Sequence, residues 1–130
     1  MTLLIITMLV SIFQIYFAKA FVALAMARQE KGYDNHHPSM QQSKLTGWGA
    51  RAYAAHLNGF EAFPIFAIGI LLNMVLKTDL YFVEILAFSF ISLRFFYIFF
   101  YIADYSYLRS TIWTIAFLCN MGMYLLPFLY

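Results

Sequence analysis

The chain has 130 residues, of which 64% are hydrophobic and only 11% are charged, against roughly 25% charged residues in soluble domains. Too few polar side chains exist to cover a water-soluble globule, so lipid must cover most of the surface. The net charge of +2 is small and scattered, which argues against a nucleic-acid partner, and the single cysteine excludes an internal disulfide.

Four apolar segments, each near the length of about 20 residues that a membrane span needs, predict an all-α integral membrane four-helix bundle. We expect one domain covering residues 1–130. The first helix is predicted over residues 3–27, with Gln14 and Lys19 as its strongly polar members. No basic region and no small-residue cleavage site accompany it, so we expect a retained helix rather than a signal peptide. Lys19 either extends toward the membrane surface or reaches a pocket in the bundle.

A polar segment, residues 28–46, follows the first helix and is called loop one below. Helix-breaking residues interrupt it at Gly32, Asn35 and Pro38. Residues 33–38 predict an ordered turn, in which Asp34 can form an Asx turn. The loop carries three of the eight basic residues, Arg28, Lys31 and Lys44. Because cytoplasmic loops are enriched in Lys and Arg, we predict that loop one is cytoplasmic and that both termini lie on the opposite side.

The remaining three helices are predicted over residues 47–76, 81–103 and 107–130. Only a tight turn at residues 104–106 separates the last two, which indicates an antiparallel hairpin.

Cys119 lies in the last helix, where a small buried apolar role is the simplest interpretation. The adjacent His36 and His37 lack carboxylates or cysteines at ligand spacing, so we predict no metal site.

Polar residues of the second helix recur at helical spacing. Steps of three, four and three residues place Arg51, Ala54, Asn58 and Glu61 on one stripe. An ionisable group facing lipid costs roughly 2.5–3.5 kcal/mol near the membrane centre, so the stripe should face protein or a water-filled cavity. His56 lies off this stripe and is expected to make a hydrogen bond that packs two helices together.

A second stripe lies on the third helix, where steps of three, four and four residues connect Arg94, Tyr97, Tyr101 and Tyr105. If the two stripes face each other, they line a polar pocket at the loop-one end with Arg109 at its rim. Arginine binds carboxylates through two parallel hydrogen bonds and Glu61 can hold an ammonium group, so the pocket suits an anionic, hydrogen-bonding ligand.

A structural interpretation of the same residues stays open. Glu61 and Arg94 can neutralise each other inside the bundle, while Asn58 bonds a neighbouring helix. The tyrosines can belong to the aromatic belt at the membrane surface.

Two motifs within these stripes resemble the signature of the membrane-associated proteins in eicosanoid and glutathione metabolism, the MAPEG family. The first, RAYAAHLNGFEAFPIF, contains Arg51, Asn58, Glu61 and Pro64. The second, RFFYIFFYIADYSYLRS, contains Arg94, Tyr97, Tyr101 and Arg109. The resemblance covers nearly all 130 residues, and GYDNHHP with LTGWGARAYAAHLNGFEAFP is most similar to small bacterial members that mostly lack an assigned reaction.

The resemblance implies a homotrimer in a membrane, here a bacterial inner membrane, that binds glutathione between subunits near the cytoplasmic side. It implies a glutathione-dependent transferase or peroxidase acting on lipophilic small molecules. Arg109 matches the arginine that stabilises the thiolate in the catalytic members. The other positions implied to contact glutathione are Arg51, Asn58, Glu61, Arg94, Tyr97, Tyr101 and Ser110.

One position departs from the family pattern. Catalytic relatives usually carry a second arginine four residues before the asparagine, where this chain has Ala54. Loss of one charge-assisted hydrogen bond costs roughly 1.5–3 kcal/mol. The alternative function is therefore a non-enzymatic membrane protein of the same fold that binds a lipid or small amphiphile.

Overall fold

The computed structural model describes residues 1–129, and the predicted all-α bundle is confirmed. The helices are α1 (Thr2–Ala27), α2 (Pro38–Ser43), α3 (Gly47–Leu76), α4 (Leu80–Ile102) and α5 (Ser106–Leu125), followed by a 3-10 turn at Leu126–Phe128. Four of them, α1, α3, α4 and α5 with its 3-10 turn, are long and apolar enough to cross a membrane. Their many exposed aliphatic and aromatic side chains form the surface that lipid covers.

Two elements differ from the sequence prediction. Loop one contains the short helix α2, which begins at Pro38, a residue whose fixed φ angle suits the first position of a helix. The last helix was predicted to continue to residue 130, but α5 ends at Leu125. The chain tightens there into the 3-10 turn Leu126–Phe128, and Pro127 within it has no N–H to continue the α-helical hydrogen bonds. Tyr130 lies outside the described residues.

The bundle is built from two closely packed helix pairs, α1 with α3 and α4 with α5, joined mainly by contacts between α3 and α4. Small residues let α1 and α3 approach closely: a Cβ on Gly49 would lie 2.8 Å from the Cβ of Ala25. The buried His56 hydrogen-bonds through Nδ1 to the Ile15 carbonyl at 2.8 Å, which is the helix-packing bond expected for it. A carbonyl only accepts, so Nδ1 carries the proton.

Loop one is fixed against the bundle by two glutamines of α2. Lys19 donates through Nζ to Oε1 of Gln42, so this lysine extends toward the loop rather than into a pocket. Gln41 accepts from the backbone N–H of Asp34 at 2.8 Å and donates to the Gly32 carbonyl at 2.8 Å. The loop therefore has a defined conformation over the ends of α1 and α3.

The end of the bundle opposite loop one, which we call the far end, contains a closed polar network. Asn73 is 0% exposed. Its Nδ2 donates to the carbonyls of Gly69 and Met123, both at 2.8 Å, and its Oδ1 accepts from the Thr78 hydroxyl at 2.7 Å. Every hydrogen-bonding atom of this buried amide has a protein partner, and the bonds join α3 to α5.

Candidate functional site

Between α3, α4 and α5 lies a cavity of about 210 Å³, which we call the inner cavity. Its apolar wall includes Phe90 of α4 and the aromatic pair Trp113 and Phe117 of α5, whose rings stack nearly parallel with centroids 5.4 Å apart. Its polar lining comes from all three helices and consists of Asn58, Glu61, Arg94 and Asn120. The cavity thus combines an apolar wall with a small number of hydrogen-bonding groups, as ligand sites commonly do.

Three of the polar residues form a hydrogen-bonded chain. Arg94 donates through Nη1 to Oδ1 of Asn58 at 2.7 Å, and Asn58 donates through Nδ2 to Oε2 of Glu61 at 3.1 Å. Arginine can only donate and a carboxylate can only accept, so the orientation of the Asn58 amide is fixed by its two neighbours. The charges of Arg94 and Glu61 are thereby connected through an amide rather than in a direct ion pair.

Arg94 is 5% exposed, and its guanidinium also lies over the ring of Tyr97, 4.2 Å from the centroid. A buried cation gains from the negative face of an aromatic ring, most strongly where water is excluded. The ring therefore stabilises the guanidinium at its place in the cavity lining.

A second cavity, of about 450 Å³, lies between α4 and α5 at the loop-one end and is called the outer cavity. Its lining consists of Tyr97, Tyr101, Arg109, Ser110, Trp113 and Thr114. Arg109 places its guanidinium over the Tyr101 ring, 4.5 Å from the centroid. Because Trp113 lines both cavities, the two cavities are neighbours along the same face of α5.

Neither arginine of this region has a carboxylate partner within residues 1–129. The ion pairs of that part of the chain join Met1 to Glu84 and His37 to Asp34, both away from the cavities. Arg94 and Arg109 therefore present positive charge that the described protein does not neutralise directly. An anionic group entering from outside would find donors already in place.

The structure brings most of the sequence-predicted site residues together, but in two groups. The inner cavity holds Asn58, Glu61 and Arg94, and the outer cavity holds Tyr97, Tyr101, Arg109 and Ser110. Arg51 lines neither cavity. Its Nε donates to the Ile102 carbonyl at 3.0 Å, at the C-terminal end of α4, where a positive charge is favourable. Tyr105, the last residue of the second stripe, packs its exposed ring against Phe100.

Sequence reasoning missed the contribution of α5 beyond Arg109. Trp113 and Asn120 follow Arg109 by four and eleven residues, which places them on the same helix face. Asn120 is 2% exposed, and its Oδ1 has no hydrogen-bond partner within residues 1–129. A search for polar residues at helical spacing from Arg109 would have identified it.

Four apolar helices around an arginine-bearing polar site define an integral membrane four-helix bundle. The model of the MAPEG family matches residues 3–129, nearly the whole chain. This chain belongs to the MAPEG family, as its two motifs indicated. Neither the comparison with curated proteins nor the comparison with solved structures gave a match.

Proposed function

We propose that this protein binds glutathione and acts as a glutathione-dependent transferase or peroxidase on lipophilic electrophiles, through a thiolate stabilised by Arg109. The observation that carries the proposal is the outer cavity, where Arg109 stands without a carboxylate partner in residues 1–129 beside Tyr101 and Ser110. A cation at a partly enclosed site favours the thiolate over the thiol.

The chemistry follows from this thiolate. In conjugation, the sulfur forms a bond to an electrophilic carbon and the leaving group departs with the electron pair of the broken bond. In peroxide reduction, the sulfur attacks the terminal peroxide oxygen and the O–O bond breaks. The products are an alcohol and a glutathione sulfenic acid, which a second glutathione converts to the disulfide and water. Arg109 acts in both by holding negative charge on sulfur before the attack.

The remaining predicted residues would hold the ends of the glutathione molecule. Arg94 offers its guanidinium to a carboxylate, and Glu61, which is exposed, offers its carboxylate to the ammonium group. Tyr97 and Tyr101 would supply phenolic groups in the outer cavity. Arg51 belongs to the same set by resemblance, although its Nε is already bonded to the α4 carbonyl of Ile102.

The placement in the membrane is part of the same proposal. We propose a homotrimer in a bacterial inner membrane, with loop one cytoplasmic and both termini on the opposite side. Supporting this orientation, five basic residues lie in loop one or at adjacent helix ends: Arg28, Lys31, Lys44, Arg51 and Arg109. Lys77 lies in the turn at the far end. That asymmetry matches the enrichment of Lys and Arg on the cytoplasmic side.

A second candidate function is non-enzymatic binding of a lipid or small amphiphile. Two observations favour it: Ala54 stands where catalytic relatives carry an arginine, and Arg51 is engaged with the Ile102 carbonyl. Glutathione carries two carboxylates, so the loss of arginine partners would weaken its binding by roughly 1.5–3 kcal/mol for each missing charged hydrogen bond.

Titration of the purified, detergent-solubilised protein with glutathione separates the two candidates. The glutathione thiolate is followed by its ultraviolet absorbance, with Arg109→Ala measured in parallel. Arg28→Ala is the matched control, because Arg28 also places its guanidinium over an aromatic ring, 5.8 Å from the Trp48 centroid, but away from both cavities. We expect a saturable thiolate signal that Arg109→Ala abolishes and Arg28→Ala preserves. Absence of the signal in the wild-type protein, with no heat of glutathione binding, would favour the non-enzymatic candidate.

A further inference from the structure

A small space, which we call the junction space, lies where α1, α3 and α4 meet. Its volume is about 10 Å³, close to the roughly 10–15 Å³ that one water molecule needs. The α3 wall carries small residues at helical spacing, Ala55, Gly59 and Ala62, so that helix does not fill the space. Arg94 lines both the junction space and the inner cavity. Because α1 lines neither the inner nor the outer cavity, this is where α1 approaches the candidate site.

Two buried polar side chains of α1, Ser11 and Gln14, line the junction space. Gln14 donates through Nε2 to the Ile91 carbonyl at 2.6 Å, and its Oε1 has no hydrogen-bond partner in residues 1–129. The Ser11 hydroxyl also has no partner there. Within the described chain, the Asn120 oxygen is the unpaired side-chain atom that is sealed from any approaching molecule. The free atoms of Ser11 and Gln14 are therefore within reach of a water molecule.

Thr7, one helical turn before Ser11, shows that α1 can satisfy a buried hydroxyl within itself. Thr7 is as deeply buried as Ser11, and its hydroxyl donates to the Leu4 carbonyl at 2.8 Å. A serine in a helix can form the same kind of bond to an earlier carbonyl, but Ser11 does not. Its hydroxyl is left available to a group in the junction space.

The polar groups around the junction space need a molecule that both accepts and donates hydrogen bonds. Arg94 can only donate and Oε1 of Gln14 can only accept, and no direct bond joins them in residues 1–129. A water molecule accepts from the guanidinium and donates to Oε1, while the Ser11 hydroxyl takes either role. Buried water typically makes about three such bonds, whereas a space lined only by apolar groups stays dry.

We propose that the junction space binds one water molecule that connects Ser11 and Gln14 to the Arg94 guanidinium, and that these two α1 side chains are positioning residues for this arginine. The positioning role rests on the proposed function and deepens it, whereas the water site itself does not require glutathione. Asn58 holds the guanidinium from α3 through Nη1. The water holds it from α1, so that two helices fix the cation before a carboxylate arrives.

An experimental structure that shows ordered water tests the site directly. The parent protein and Ser11→Ala are compared in the same detergent, without glutathione. In the parent we expect a water peak at about 2.7–3.2 Å from both the Ser11 hydroxyl and an Arg94 nitrogen. Ser11→Ala should lose this peak. An absent peak in the parent, or a peak that Ser11→Ala leaves unchanged, would overturn the inference.

Glutathione affinity, measured by calorimetry, tests the positioning role. Ser11→Ala deletes one hydroxyl at nearly constant shape, and affinity should fall about 2- to 10-fold. Ser11→Cys is the second variant if the alanine variant does not fold, because a thiol bonds only weakly. Thr7→Val is the matched control: it deletes a buried hydroxyl of the same helix that lines neither the junction space nor a cavity, so affinity should not change. Equal losses in Ser11→Ala and Thr7→Val would count against positioning, since they would reflect packing alone.

A double-mutant cycle shows whether Ser11 acts through Arg94. In an Arg94→Ala background, Ser11→Ala should change glutathione affinity less than about twofold, because the group that the water orients is gone. A further loss as large as that in the parent background would overturn the positioning role.

The water peak needs no glutathione, so this inference and the proposed function fail separately. A peak that depends on Ser11, in a protein that gives no thiolate signal and no heat of binding, would keep the water site and remove both the glutathione function and the positioning role. A thiolate signal without the peak would keep the glutathione function and remove the water site.

Discussion

Two buried asparagines, Asn73 at the far end and Asn120 in the inner cavity, have opposite surroundings. Asn73 donates to two carbonyls and accepts from one hydroxyl, and these bonds join α3 to α5. Asn120 is buried almost as completely, yet its Oδ1 has no partner in residues 1–129. The Asn73 amide holds two helices together, while the oxygen of the Asn120 amide makes no such bond.

The arginines also differ in whether their hydrogen-bonding groups serve the fold or line a cavity. Arg51 bonds the last carbonyl of α4 and so stabilises a helix end. Arg94 and Arg109 line the cavities, each over a tyrosine ring and without a carboxylate partner in the described chain. Of these three arginines, Arg51 therefore has a structural role, whereas Arg94 and Arg109 are suited to binding an anion.

The largest expected effect comes from Arg94→Ala. Removing this guanidinium deletes a charge-assisted bond to the ligand and leaves Oδ1 of Asn58 without its donor, so glutathione affinity should fall about 10- to 100-fold. Calorimetry measures the affinity, and light scattering measures the mass of the proposed trimer, with Arg28→Ala as the control. Dissociation of the oligomer with unchanged affinity per subunit would assign Arg94 to structure instead.

An effect on stability alone, with no change in glutathione affinity, is expected from Gly49→Ala. The new Cβ would lie 2.8 Å from the Cβ of Ala25, a contact that neither side chain can relieve by rotation. The clash should push α1 away from α3 and lower the free energy of unfolding by about 1–3 kcal/mol. Detergent-induced unfolding measures this loss. The compensating Ala25→Gly substitution should restore most of the loss, and glutathione affinity should stay unchanged in both variants.

The smallest expected effect is that of Arg51→Ala. Because Arg51 bonds the Ile102 carbonyl and lines neither cavity, glutathione affinity should fall less than about threefold, an effect below 1 kcal/mol. The same calorimetric assay used for Arg94→Ala gives the comparison. A loss as large as that of Arg94→Ala would place Arg51 in direct contact with the ligand.

The number and type of helices were predictable because apolar runs near 20 residues have few alternatives in lipid. Helical spacing also selected residues that meet, since Arg94, Asn58 and Glu61 form one hydrogen-bonded chain. Spacing did not reveal which acceptor each arginine bonds. Arg51 lies on the same stripe as Asn58, but the carbonyl that it reaches belongs to a different helix and depends on how α3 packs against α4.

Asn120 shows a second limit of the sequence. Its position on the Arg109 face was readable from the spacing, but its missing partner was not, because satisfaction of an amide depends on every helix around it. Asn73 has the same side chain in an equally apolar context, and only the packed bundle distinguishes the two. Pro127, by contrast, acts locally, because it has no N–H to continue the α-helical hydrogen bonds.

The measurement that tests the central contrast most directly is the free energy of unfolding of Asn73→Leu and Asn120→Leu in the same detergent, without ligand. Asn73→Leu removes three hydrogen bonds and leaves their partners in apolar surroundings, so we expect a loss of about 2 kcal/mol. Asn120→Leu removes a buried amide oxygen that has no hydrogen-bond partner, and should leave stability unchanged or raise it by about 1 kcal/mol. Equal losses in the two variants would contradict the account, because Asn120 would then be as structural as Asn73.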